Sequence, residues 1–311
     1  MPETQIIRKT SGERFMATVQ NISESRDIEK REVSTLSEGP IGVFDSGYGG
    51  LTILREICRE LPQYDYLYIG DNARAPYGSR SFELVYDFTL QAVKYLFSRG
   101  CNLVVLACNT ASAKALRSIQ QQYIATMQPD RRVLGVIRPT VEALPSVTRR
   151  GHVGVMATPG TVASHSYTLE ANKIDAGMVI TEVACPMFVP LIENGEAQHE
   201  GADYFVKKYC DTLLERDPEV DTLLLGCTHY PIIYDKLRAY LPETVRVLPQ
   251  GELVAKSLAD YLKRHCELER FCSKHGEVRY FTTEEAEKFD RLASTFMGED
   301  VRSTRVELEG L

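Results

Sequence analysis

Eight short apolar runs punctuate this chain, with helix-like amphipathic segments between them. The runs are "IGVF" (41–44), "DYLYIG" (65–70), "NLVVLA" (102–107), "RVLGV" (132–136), "HVGVMA" (152–157), "GMVITEV" (177–183), "DTLLLG" (221–226) and "RVLP" (246–249). The segments between include "LTILREICREL", "ASAKALRSIQQQY" and "IIYDKLRAYL". Strand and helix taking turns predicts an α/β protein of doubly wound, mainly parallel sheets with helices on both faces. Ligands in such folds bind beyond the carboxyl ends of the strands.

The pattern is loosely duplicated. "IGVFDSGYGG" and "VGVMATPGTV" are each a strand breaking into a glycine-containing turn, and each is followed later by a strand ending in cysteine, Cys108 and then Cys227. With 311 residues there is room for two cores. The expected organisation is a mobile arm over 1–38, where Met16 offers an alternative start, and two Rossmann-like lobes in pseudo-symmetric arrangement. The first lobe takes 39–133 and 245–311 with "EVRYFTT" as an added strand, the second takes 134–244, and the site lies between them. The charged tail from about 265 reads as a solvated, inert extension.

A formal charge of −7 argues against a nucleic-acid or anionic-membrane partner, since both call for a basic face. No apolar run approaches the roughly 20 residues that span a bilayer. The start has no apolar core of a secretory signal, and eight cysteines without regular spacing fit reduced thiols in a cytoplasm.

Two strand-to-helix turns carry the chemistry. Cys58, Cys101, Cys185 and Cys210 read as small buried hydrophobes. Cys108 in "VVLACNTAS" and Cys227 in "LLLGCTHYPII" stand instead between a strand end and a helix start. There, free N–H groups and the helix dipole are expected to favour thiolate and draw the pKa toward neutrality. Asn109, Thr110 and Thr228 can cap those helices or donate to a ligand carboxylate. His229 can exchange a proton with Cys227 or pack as a capping histidine. In "FDSGYGG", Asp45 and Ser46 sit at a strand tip above a glycine turn. Gly47 and Gly49 fit G-x-G, but Thr52 replaces the third glycine of a dinucleotide fingerprint, with Asp71 as the candidate ribose acid. The cluster His265, Cys266, Cys272 and His275 has a zinc-like count at spacings that match no standard ligand pattern.

Two thiols facing one carbon suit stereochemical inversion: one removes a proton while the other supplies one to the opposite face. That requires one ionised and one protonated sulfur, hence unlike surroundings, with Asp45 beside one and His229 beside the other. Donors at the strand tips would stabilise the carbanion. A nucleotide-binding oxidoreductase built on "DSGYGG" and a non-catalytic binder of small acids are the readings from other classes.

The motifs "IGVFDSGYGG", "DNARAPYGSRS", "VVLACNTAS", "GVMATPGTVAS" and "LLLGCTHYPII", in this order over residues 39 to 250, resemble the glutamate racemase family. The resemblance implies interconversion of L- and D-glutamate without pyridoxal phosphate, metal or other cofactor, supplying D-glutamate for cell-wall peptidoglycan. It implies Cys108 and Cys227 as the catalytic bases, with Asp45 and His229 as their polar partners. Ser46, Tyr77, Gly78, Asn109, Thr110, Thr158, Thr161 and Thr228 would bind substrate, and Glu193 would support them. It also implies a homodimer. Aspartate or another amino acid is the alternative substrate, because one methylene shifts discrimination by only about 1–3 kcal/mol.

Overall fold

The eight apolar runs are strands in the computed structural model, which describes residues 36–308. The arm expected over 1–38 and its Met16 lie outside the described residues, apart from the last three positions. The strands are β1 Ile41–Asp45, β2 Tyr66–Gly70, β3 Leu103–Leu106, β4 Arg132–Gly135, β5 His152–Ala157, β6 Val179–Ala184, β7 Thr222–Gly226 and β8 Arg246–Leu248. Every residue of β1, β2 and β7 is buried, which is why they read as unbroken apolar runs: a central parallel strand is covered by helices on both faces.

Two further strands, β9 Val278–Thr282 and β10 Ser303–Arg305, come from the tail. One sheet has the order β10-β9-β2-β1-β3-β4 and the other β6-β5-β7-β8. All pairings are parallel. Four strands of the larger sheet and all four of the smaller follow one scheme, with the first strand of each set between the second and third. β1 therefore corresponds to β5, and β3 to β7. In both sheets the chain winds off in opposite directions from the first strand, which opens a crevice at its carboxyl end.

The C-terminal segment departs from the sequence expectation. β8 pairs with β7, so the four-stranded sheet extends past residue 244. The chain then runs back through helix Gly251–Arg264, which packs on helix Leu51–Glu60. The tail is not an inert extension. β9 pairs with β2, and helix Ala286–Met297 sinks Phe289 completely, stacking it 5.5 Å from the ring of Tyr48. Val301 and Leu308 are also buried. Charged residues mask this because only one stripe of the helix faces the core.

No helix among the described residues is long and apolar enough to cross a membrane.

Candidate active site

At the end of β1 the chain turns through "DSGYGG". Asp45 is fully buried, and its carboxylate accepts from the Gly47 amide at 2.9 Å and from the Thr228 hydroxyl at 3.5 Å. Burial raises its pKa, against the lowering pull of the His229 charge and of the Gly47 and Gly50 amides. Gly49 is needed for close approach: a Cβ there would fall 2.3 Å from Thr228 Oγ1 and 2.5 Å from His229 Nδ1. The turns after β1 and β7 thus touch through a residue that has no side chain.

The turn after β3 puts Cys108 at the N-cap of the short helix Asn109–Lys114, where its sulfur accepts from the Ala111 amide at 3.5 Å. The Ser46 hydroxyl lies 3.4 Å from the same sulfur. These bonds favour thiolate, but they lose. Burial, then the negative charge of Asp45, pushes the Cys108 thiol up to about 12. The expected drift of this cysteine toward neutrality is therefore reversed, because six residues of helix cannot offset the loss of water around the sulfur.

Cys227, at the end of β7, meets a different environment. His229 Nδ1 is 3.8 Å from its sulfur, and His229 Nε2 is 3.0 Å from Glu193 Oε1 on helix Phe188–Glu193. Burial works against a charged imidazole. The hydrogen bonds and charges of Cys227 and Glu193 outweigh it and lift His229 to about 10. At neutral pH the ring is a cation held between sulfur and carboxylate.

Cys108 and Cys227 line one cavity that is open to solvent. Ser46, Tyr77, Gly78, Asn109, Thr110, Thr158, Glu193, Thr228 and His229 line it too. Thr161 is fully buried behind this wall, closing a hydroxyl triangle with Thr110 and Thr158: Thr110 to Thr158 is 3.0 Å and Thr158 to Thr161 is 3.1 Å. Asp45 likewise stands behind the wall. Tyr77 donates to Asp71, whose carboxylate also takes Arg74 at 2.7 Å and the Thr283 hydroxyl at 2.9 Å. Asp71 is thereby committed to the fold rather than available to a ribose. His265 and His275 pair separately, with Glu267 at 3.0 Å and Asp65 at 2.7 Å.

Sequence reasoning missed part of the wall. Cys185 is buried in the core as expected, but it follows β6 directly and also lines the cavity with Pro186, Val189 and Pro190. Its strand-tip position was the available signal. Gln250 and Tyr167, which bond to Asn109, carry no motif.

The Asp/Glu/hydantoin racemase family model matches residues 44–258, which contain every residue of this cavity. The chain belongs to that family. It is a racemase, and its relatives agree over nearly their whole length. A glutamate racemase of Persephonella marina is 37% identical over 269 residues, covering 86% of this chain and 97% of its own. A solved glutamate racemase isoform of Bacillus anthracis superposes with a TM-score of 0.79 at 33% identity, over 87% of this chain and 98% of that one. The glutamate racemase of Francisella tularensis, solved with D-glutamate, gives 0.77 at 31% identity, over 88% and 99%. The racemase fold is thus the α/β arrangement of two parallel sheets that the strand pattern predicts.

Proposed function

We propose that this racemase interconverts L- and D-glutamate by a two-base mechanism in which Cys108 and Cys227 address opposite faces of the substrate Cα. The observation that carries this reading is the sharing of one cavity by two sulfurs from equivalent strand tips of the two sheets, with unlike electrostatic surroundings. Cys108 is held as a thiol beside an anion. Cys227 lies beside an imidazolium. That is the asymmetry proton transfer across a carbon requires.

In one direction the Cys227 thiolate takes the Cα proton, and the C–H electron pair moves into the α-carboxylate system. The Cys108 S–H then gives its proton to the other face. The sulfurs end with their protonation exchanged, ready for the reverse reaction, and a proton passing between them through solvent resets the pair. His229, positioned by Glu193, balances the charge on Cys227. Ser46, Asn109, Thr110, Thr158 and Thr228 supply donors to the carboxylates, with Tyr77 and Gly78 closing the cavity. Asp45 and Thr161 act from behind that wall.

The relatives' activity supports glutamate as the substrate, and D-glutamate is bound to the Francisella tularensis protein. On this reading the enzyme works as a cytoplasmic homodimer, without cofactor, and supplies D-glutamate to peptidoglycan synthesis. The test is circular dichroism on L-glutamate and L-aspartate side by side in deuterium oxide. Loss of optical activity with deuterium entering Cα of glutamate is expected. Racemisation of aspartate alone, or no exchange, overturns the assignment.

A further inference from the structure

Asn109 lines the cavity, yet both ends of its amide are already engaged. Its Nδ2 donates to Gln250 Oε1 at 2.7 Å, and its Oδ1 accepts from the Tyr167 hydroxyl at 2.5 Å. Gln250 Nε2 donates back to the Tyr167 oxygen at 2.7 Å, which closes a ring of three side chains. Tyr167 is fully buried, and Asn109 and Gln250 are nearly so.

A ring of two amides and a hydroxyl can run in either of two senses, and reversing it flips both amides together. The sense is set from outside. Thr140, fully buried, donates its hydroxyl to the Val136 carbonyl at 2.7 Å, so its oxygen faces Gln250 as an acceptor at 3.0 Å. Gln250 must then turn its NH2 toward Thr140 and Tyr167 and its oxygen toward Asn109. Asn109 must in turn point Oδ1 at Tyr167 and spend one N–H on Gln250. An amide has two N–H groups, so one remains.

The participants bridge the two sheets. Asn109 follows β3, and Thr140 lies in helix Ile137–Ala143 between β4 and β5. Gln250 follows β8 at the start of helix Gly251–Arg264, and Tyr167 lies in helix Ser166–Ile174. The ring therefore sits where the chain passes from one sheet to the other.

We propose that Thr140, Gln250 and Tyr167 are positioning residues that lock the amide of Asn109 in one flip state, so that it offers the cavity an N–H donor and never its carbonyl. Asn109 then selects an anionic oxygen of the ligand. In naming its partner as a substrate carboxylate, the inference rests on the proposed glutamate reaction. The grip exists before and during proton transfer, so its loss raises KM more than it lowers kcat.

The experiment compares Thr140→Val, Thr140→Ser and Gln250→Leu with the wild type in both directions, with glutamate binding followed by calorimetry and folding by melting temperature. Thr140→Val should raise KM and Kd about tenfold with kcat changed less than about threefold, the scale of one lost hydrogen bond to a charged group. Thr140→Ser, which restores the hydroxyl, should keep the wild-type KM. Gln250→Leu, which takes away the acceptor of the Asn109 N–H and leaves only a Tyr167 hydroxyl that can donate or accept, should raise KM and Kd in the same way. A purely structural role would instead lower melting temperature and active fraction at constant KM. Folded Thr140→Val and Gln250→Leu enzymes with wild-type KM and Kd overturn the lock. Should either fail to fold, the other decides. A wild type that binds glutamate without racemising it sinks the proposed function and leaves Kd to judge the lock. A wild type that does neither overturns both.

Discussion

Glu193 Oε1 stands 3.0 Å from Nε2 of His229, whose other ring nitrogen faces the sulfur of Cys227. Carboxylate, imidazole and sulfur form a line along one wall of the cavity. The sulfur of Cys108 has nothing comparable: a hydroxyl at 3.4 Å and the charge of buried Asp45. The walls thus differ in the sign of the charge beside each sulfur.

Glu193→Gln keeps the shape of the side chain and removes its charge. The imidazolium of His229 loses one of the two partners that raise its pKa. Glutamate racemisation should fall about tenfold in kcat at neutral pH, the scale of one charge-assisted hydrogen bond. Steady-state rates in both directions check this, and an unchanged kcat would remove Glu193 from the proton-handling group.

The pH profile follows from the direction of the His229 shift. The group is raised from 6.5 to about 10, so its positive charge is fully present at neutral pH and is lost as pH rises through about 10. A charge needed beside Cys227 therefore gives kcat/KM an alkaline limb near that pH. The limb should move to lower pH in Glu193→Gln and vanish in His229→Asn, at a much reduced plateau. A limb that stays put in both variants would assign it to another group.

Cys108→Ser and Cys227→Ser each replace a thiol with a hydroxyl that hardly ionises near neutral pH. Because every turnover uses both groups, each single change should cut racemisation in both directions by at least about a thousandfold, the upper range for losing a general acid or base. Two-way activity retained in Cys108→Ser would end the two-base assignment.

Gly49→Ala tests the contact between the β1 and β7 turns. The added methyl would sit 2.3 Å from Thr228 Oγ1, a buried atom with little freedom to withdraw. Stability should fall by about 1–3 kcal/mol, as for overpacking elsewhere. Activity should fall further, because relief of the clash moves Thr228 and His229. Chemical denaturation and rate measurements on one preparation separate the two effects. Wild-type values for both would show that the turns yield freely.

Much of this was legible in the residues. The strands β1, β2, β3, β5 and β7 stand out because central parallel strands must be apolar on both faces. β10 does not, since three polar residues at a sheet edge, "STR", are held by backbone pairing with β9 and leave no side-chain pattern. Helix Ala286–Met297 reads as charged because a single buried stripe, with Phe289 and Ala293, carries its attachment. Cys108 and Cys227 are marked by their place between strand and helix. Cys185 has the same place after β6 but lacks the hydroxyl-bearing neighbours that drew notice to the other two.

Local pattern alone determined the α/β class, the duplicated strand-turn-cysteine units and the two sulfurs, because each is written in consecutive residues. Tertiary packing decided the ionisation around those sulfurs. Burial and the nearby Asp45 carboxylate outweigh the short helix at Cys108, and a glutamate 36 positions away holds the charge on His229. It also decided the Asn109 ring, whose members come from segments up to 141 positions apart. Hydrogen bonds and desolvation act through space, so no window along the chain contains them.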